Sequence, residues 1–235
     1  MSNADHEKQI AARRSLDFVQ HDMLVGLGSG STAAYAIRFL GERVREGLRI
    51  QGIPTSEASA ELARGVGINV VPFDRHAQID VTIDGADEIG PGLQLIKGGG
   101  GALLHEKIVA AASKKFIIIA DSSKLVKRLG AFPLSVEVIP FGWPAVADRL
   151  HALGANPVLR LTSEALRLTA GEQPFLTDEG NVILDCQFKV FPEAAVLAEE
   201  LDSMTGLVEH GLFLDLADIA IIGRGDETEM LEAKS

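Results

Sequence analysis

Residues 97–107 read Lys97-Gly-Gly-Gly-Gly-Ala-Leu-Leu-His-Glu-Lys107. Consecutive glycines suit neither a helix nor a strand interior, because each loses more backbone freedom on folding than any other residue. A run of four is best explained where the main chain must come very close to a ligand. Ahead of it lies a short apolar run, Leu93 to Ile96. Behind it Ala102, Leu103, Ile108, Val109 and Ala112 recur at helical spacing. The unit reads strand, glycine loop, helix, with Lys97 at the strand's end and Glu106 in the first turns of the helix. A lysine and a carboxylate flanking such a loop suggest chemistry as well as binding. The plainer alternative is a surface ion pair beside glycines that merely let helix and strand pack.

The same alternation extends outward. Residues 5–20 have helical spacing, with Ala12, Leu16 and Val19 on one face. Met23 to Gly26 is a short strand, and a helix follows from Thr32 to Arg45. Leu48 to Ile53 is the next strand, and Thr55-Ser56-Glu57 caps a helix running through Arg64. Ile68–Val71, Ile79–Ile83, Leu93–Ile96 and Phe116–Ala120 complete a set of short apolar runs. This spacing predicts an α/β fold with a doubly wound, mostly parallel, Rossmann-like sheet.

The pattern changes near residue 130, where Pro133, Pro140, Pro144 and Pro157 punctuate the chain. Strand Val136–Ile139, helix 144–153 and strand 157–162 come first, then a hairpin-like turn at Asp178-Glu-Gly-Asn181. Helix 193–203 follows Pro192, a residue suited to a helix's first position. Residues 131–205 are therefore expected to form a smaller α+β, ferredoxin-like domain. It is inserted into a catalytic domain of residues 1–130 and 206–235. Ala217–Ile222 should return to the main sheet, and residues 226–235, being charged, should fray.

At 235 residues and 25.0 kDa the chain has room for one large domain or two modest ones. Aromatics are only 5% of the chain, so Val, Ile, Leu and Ala must build the core, as in a helix-covered parallel sheet. A net charge of -11 argues against nucleic acid or an anionic membrane as partner. The single cysteine, Cys186, excludes an internal disulfide and fits a reducing, cytoplasmic compartment. Its place in an apolar strand suggests packing rather than reactivity. No apolar run approaches the ~18 residues of a membrane span, and the N-terminus is unlike a signal peptide.

Two further loops carry chemistry. Gly26-Leu-Gly-Ser-Gly-Ser-Thr32 links a strand to a helix, where main-chain N–H groups and small hydroxyls make an anion site. A dinucleotide fingerprint would need glycine at Ser31, and a Walker A loop would need lysine at Gly30. A small phosphate ester fits better than a nucleotide; a glycine-rich turn without a ligand is the alternative. In Asp80-Val-Thr-Ile-Asp-Gly-Ala-Asp-Glu88 the apolar run ends at Asp84, and Asp87 follows after Gly85. Beyond the carboxyl end of a sheet strand, both acids face the ligand crevice, unless they only cap the next element. Carboxylates, a lysine and an anion site at one sheet edge match what proton transfer beside a carbonyl requires. None of the six histidines shows metal-ligand spacing, and no metal site is expected.

Gly28-Ser-Gly-Ser-Thr-Ala33, Asp84-Gly-Ala-Asp-Glu-Ile89, Lys97-Gly-Gly-Gly-Gly-Ala102 and Glu106-Lys107 together resemble ribose-5-phosphate isomerase type A in order and separation. Asp121-Ser-Ser-Lys124 resembles the family's next motif, and the resemblance spans nearly the whole chain. It implies a cofactor-independent aldose–ketose isomerase that interconverts D-ribose 5-phosphate and D-ribulose 5-phosphate in the non-oxidative pentose phosphate pathway. By the same resemblance Glu106 is the base, Lys97 stabilises an enediolate, and Asp84 and Asp87 bind sugar hydroxyls, with Asp84 assisting ring opening. Ser29, Gly30, Ser31, Thr32 and Lys124 hold the phosphate, and Lys8 reaches it. Gly85, Ala86 and the loop glycines Gly98, Gly99 and Gly100 complete the substrate contacts. A homodimer or homotetramer is also implied. Ser29 departs from a common threonine, His105 from a common arginine, and residues 162–177 look longer than in compact members. A sugar-phosphate sensor and an aminosugar-phosphate isomerase/deaminase are the competing functional readings.

Overall fold

Val81–Asp84, Phe116–Asp121 and Ile219–Arg224 are buried along nearly their whole length, as a parallel sheet covered on both faces demands. In the computed structural model, which describes residues 2–74, 78–162 and 173–233, they are β4, β7 and β13 of a seven-stranded sheet. Its other strands are β1 (Met23–Leu27), β2 (Ile50–Pro54), β3 (Asn69–Val70) and β14 (Glu227–Glu232), in the order β14-β13-β7-β4-β1-β2-β3. Every neighbouring pair is parallel except β13 with β14. The two faces follow the strand period of two. Ile117 and Ile119 of β7 join a core with α1 (Asn3–Ser15), α2 (Gly30–Arg45) and α3 (Glu57–Gly65), whereas Phe116, Ile118 and Ala120 join the opposite one with Ala110 of α4 (Leu103–Ala111). From β1 the chain winds outward to β2 and β3, then returns to place β4 on β1's other side. The crevice at this reversal is where an open α/β sheet binds ligands. The loops after β1 and β4, which carry Ser29–Thr32 and Asp84–Asp87, open onto it.

A second sheet has the order β11-β8-β10-β9, all antiparallel. Its strands are β8 (Leu134–Val138), β9 (Ala155–Leu159), β10 (Val182–Phe188) and β11 (Leu207–His210), and its helices are α5 (Trp143–Ala152) and α6 (Ala194–Asp202). This β-α-β-β-α-β chain order is the ferredoxin-like one. The sheet reaches past residue 205, because β11 is its edge strand. Cys186 is buried in the core of this layer, and burial pushes its thiol up to about 12, which disfavours the reactive thiolate.

Several expectations need correction. The run before the glycine loop is not a strand of the main sheet. Pro91–Leu93 is a 3₁₀ turn, and β6 (Leu95–Ile96) lies in a three-stranded antiparallel sheet between β5 (Glu88–Ile89) and β12 (Leu212–Phe213). Residues 234–235 lie outside the described residues, and residues 226–233 do not simply fray, since Glu227–Glu232 is β14. Its acidic, mostly exposed side chains suit an edge strand, where charge discourages pairing with other chains. Pro192 precedes the cap rather than opening the helix, and the Glu193 side chain accepts from Ala195 and Val196 N–H. The first helix ends at Ser15 and tightens into a 3₁₀ turn over Leu16–Phe18. Most of the long segment at 162–177, together with His76, falls outside the described residues.

One buried side chain ties α1 to the sheet. Glu7 accepts from the N–H and hydroxyl of Ser122, at 2.9 and 2.7 Å, and from the Gly225 N–H at 3.0 Å. Main-chain N–H groups of Gly225 and Ser122, then the Ser122 hydroxyl, favour the carboxylate and hold Glu7 down to about 2. Its stabilising contribution is complete above the ordinary carboxylate range and is lost as pH falls towards 2. Glu7→Ala is expected to cost roughly 2–4 kcal/mol at pH 7, because it strands two N–H groups. Denaturant midpoints of the two proteins should converge as the pH is lowered from 5 to 2.5.

Candidate active site

The loop after β1 is set by crowding. A Cβ on Gly28 would lie 2.5 Å from the Asp84 main chain, so only glycine lets β1 and β4 run side by side here. The Gly28 N–H donates to Ile83 O at 3.0 Å. The Ser29 and Gly85 N–H groups donate to Asp84 Oδ1 at 3.0 and 2.7 Å. Asp84 thus binds the two loops to each other and leaves Oδ2 facing inward. α2 starts at Gly30, two residues earlier than expected. Its N-terminal N–H groups and partial positive charge therefore point into the cleft.

The cleft encloses about 130 Å³. At one end stand Ser31, Thr32, Lys8 and Lys124. Lys8 reaches over from α1 and donates to Ser31 Oγ at 3.1 Å. Lys124 closes the 3₁₀ turn after β7, which Asp121 caps through the Ser123 N–H. Ser29 also lines the cleft, but its hydroxyl is shared with Thr55 and Ser56, both at 2.7 Å. Thr55, Ser56 and Ser59 therefore brace the anion loop. The sequence reading missed this role, since Thr55 and Ser56 read there as helix-capping residues alone.

The other end holds an ion cluster. The Lys97 ammonium lies 3.0 Å from Asp84 Oδ2 and 3.4 Å from Glu106 Oε1, and donates to Gly85 O at 2.6 Å. All three side chains are buried, and Glu106 Oε2 has no hydrogen-bond partner among the described residues. Burial raises Asp84 above the ordinary carboxylate range despite Lys97. Burial, and then repulsion from Asp84, carry Glu106 up to about 8, against the pull of Lys97. Burial alone would pull Lys97 down, but Asp84 and Glu106 outweigh it and hold it raised, so it stays an ammonium. One cation between two carboxylates leaves Glu106 titrating at about 8, so that it exchanges its proton within about a pH unit of neutrality.

The glycine loop forms the remaining wall. Gly98 and Gly100 line the cleft with Gly85, Ala86 and Asp87. The Gly99 N–H donates to Asp87 Oδ2 at 2.8 Å, which holds that carboxylate beside the triad. Gly98 has φ +107, a conformation that favours glycine, and a Cβ there would press on Ser135 at 2.7 Å. His105 points elsewhere, meeting Glu179 at 2.8 Å, and Lys107 pairs with Glu209. A separate groove of about 580 Å³, lined by Arg64, Phe73, His105 and Asp178, is larger but contains none of Asp84, Lys97 and Glu106. Among the described residues the one cluster with metal-ligand spacing is Asp202, Glu209 and His210, and it does not line the cleft.

A Rossmann-like sheet with a glycine-rich loop and a buried carboxylate–lysine–carboxylate cluster at its reversal point is the architecture shared with the sugar-phosphate isomerases that this chain is similar to. The family model for ribose 5-phosphate isomerase A (phosphoriboisomerase A) matches residues 51–227. The chain is 52% identical over 230 residues to ribose-5-phosphate isomerase A of Sphingopyxis alaskensis, covering 98% of this chain and 97% of that one. It is 50% identical to the Jannaschia sp. protein of that name, covering 97% and 87%. A solved D-ribose-5-phosphate isomerase in complex with phospho-erythronic acid superposes with TM-score 0.92 at 39% identity, covering 98% of this chain and all of that one. The Plasmodium falciparum ribose 5-phosphate isomerase gives 0.91 at 34% identity, covering 98% and 100%. The chain belongs to the ribose 5-phosphate isomerase A family and is an isomerase of the pentose phosphate pathway. Among the described residues no helix is long and apolar enough to cross a membrane.

The charge state of Glu106 has a consequence for stability. The folded chain keeps its proton up to about pH 8, whereas an unfolded glutamate releases it near 4.5. Stability from this group is therefore full below about pH 4.5 and is lost as pH rises through 8. Glu106→Gln removes the dependence. Relative to the native chain, the variant should gain on the order of 3 kcal/mol between pH 5 and pH 9, read from urea unfolding at both values.

Proposed function

We propose that Glu106 moves the proton between C2 and C1 of the open-chain sugar phosphate. The observation that carries this is a buried carboxylate 3.4 Å from an ammonium, with its second oxygen unpartnered. Glu106, in its ionised form, takes the C2 proton of ribose 5-phosphate. The C–H electron pair forms C1=C2, and negative charge moves to O1. Lys97 stabilises that enediolate oxygen. A proton passes from O2 to O1, and Glu106 returns its own proton to C1, which leaves the ketone of ribulose 5-phosphate. Asp84, raised by burial, assists ring opening, and Asp87 binds sugar hydroxyls. Lys8, Lys124, Ser31, Thr32 and the start of α2 hold the phosphate, so that binding energy remote from the reaction orients the sugar. The wall of Gly85, Ala86, Gly98, Gly99 and Gly100 lets the main chain approach it closely. A solved relative binds phospho-erythronic acid, a phosphorylated sugar acid. Such a molecule carries charge at both ends, as this cleft would require. We read the enzyme as a cytoplasmic homodimer or homotetramer, on the family resemblance, and sedimentation equilibrium distinguishes these assemblies.

Glu106→Gln keeps the shape and loses the base. Turnover of ribose 5-phosphate should fall at least about a thousandfold, while inorganic phosphate still competes for the cleft in a binding assay. Near-native turnover would overturn the assignment. Lys124→Ala should raise KM about tenfold or more with a smaller change in kcat. A loss confined to kcat would contradict a phosphate-anchoring role.

A further inference from the structure

The glycine loop is held from outside the main sheet. Arg160, the residue after β9, projects its guanidinium across to residues 98–99. Nη1 donates to Gly98 O at 3.0 Å and Gly99 O at 3.3 Å. Nε donates to Asp185 Oδ2 at 2.9 Å, and Nη2 to Asp185 Oδ1 and, at 2.8 Å, to Ser135 Oγ. Asp185 lies on β10 and Ser135 on β8, so the anchor is the second sheet. The guanidinium is largely buried, and the Phe175 ring lies 5.8 Å away.

We infer that Arg160 is a positioning residue through which the second sheet sets the geometry of the reacting end of the cleft. The Gly98–Gly99 peptide is gripped on both sides. Its carbonyl accepts from Arg160 and its N–H donates to Asp87. A cation on the carbonyl polarises the peptide and strengthens that N–H as a donor. Lys97 immediately precedes this peptide, so the grip also limits where its ammonium can sit. Only the planar fork of arginine meets a carboxylate, a hydroxyl and two carbonyls at once; lysine offers a point charge. Among the described residues no hydrogen bond joins the side chains of Lys8, Ser31, Thr32 or Lys124 to the second sheet.

This inference rests on the proposed reading of the cleft. Arg160→Met would leave the half-buried Asp185 without its partner, which itself threatens folding. The double substitution Arg160→Met with Asp185→Asn removes both charges and is the primary test. With ribose 5-phosphate, kcat should fall about 10- to 100-fold, while inhibition by inorganic phosphate changes less than about twofold. A folded double variant with native kcat overturns the positioning role, and the cleft reading then stands if Glu106→Gln is inactive. A loss of phosphate inhibition in parallel with kcat also overturns it, because it marks general loosening rather than control of one end. If Glu106→Gln is instead active, the cleft reading itself fails, and the Arg160 inference with it.

Discussion

One ammonium sits between two buried carboxylates, and much of the architecture serves to hold it there. Removing charges from water costs several kcal/mol per ion, which mutual attraction offsets only when geometry is tightly constrained. That constraint comes from three directions. Asp84 ends a central strand and is fixed by two main-chain N–H groups. Glu106 lies on α4, packed on the sheet's far face from α1 and α2. Lys97 leaves a short strand whose neighbour Gly211 touches it so closely that a Cβ would fall 2.1 Å from Lys97 O.

The cost of this arrangement appears as shifted proton affinity. Two carboxylates share one cation, so neither reaches the ionisation it would have alone with Lys97. Glu106, pushed up by burial and by Asp84, holds its proton far more tightly than an ordinary carboxylate. Glu7 shows the opposite case in the same molecule. Four donors surround it, including Asn3 at 3.0 Å, and it is held strongly acidic. It clamps structure and does not titrate near neutrality. Environment rather than residue type separates the two glutamates.

Much of the fold was legible because its signals are local. Apolar runs in β1, β4, β7 and β13, glycines at the turns and helical spacing between them predict a Rossmann-like sheet directly. The antiparallel β5–β6–β12 sheet was not legible. Strands of two residues carry no period, and β12 joins from more than a hundred residues away. β14 was missed because an exposed edge strand reads as a charged tail. In the site, Ser31, Thr32, Asp84, Asp87, Lys97 and Glu106 stood beside conspicuous glycines. Thr55, Ser56, Ser59 and Arg160 did not, since hydroxyls bracing a loop and an arginine gripping one have no spacing signature.

By itself the sequence determined the strand–helix alternation, the glycine positions where main chains must touch and the chemical types gathered near them. Those are properties of neighbours along the chain. It also determined the family, because four motifs recur in order. Only the tertiary structure decided that Lys97 stands between Asp84 and Glu106. It also decided that Ser29's hydroxyl turns to Thr55 and Ser56, and that an arginine of the second sheet grips the glycine loop. These depend on sheet order and side-chain direction across long separations, which periodicity and composition do not encode.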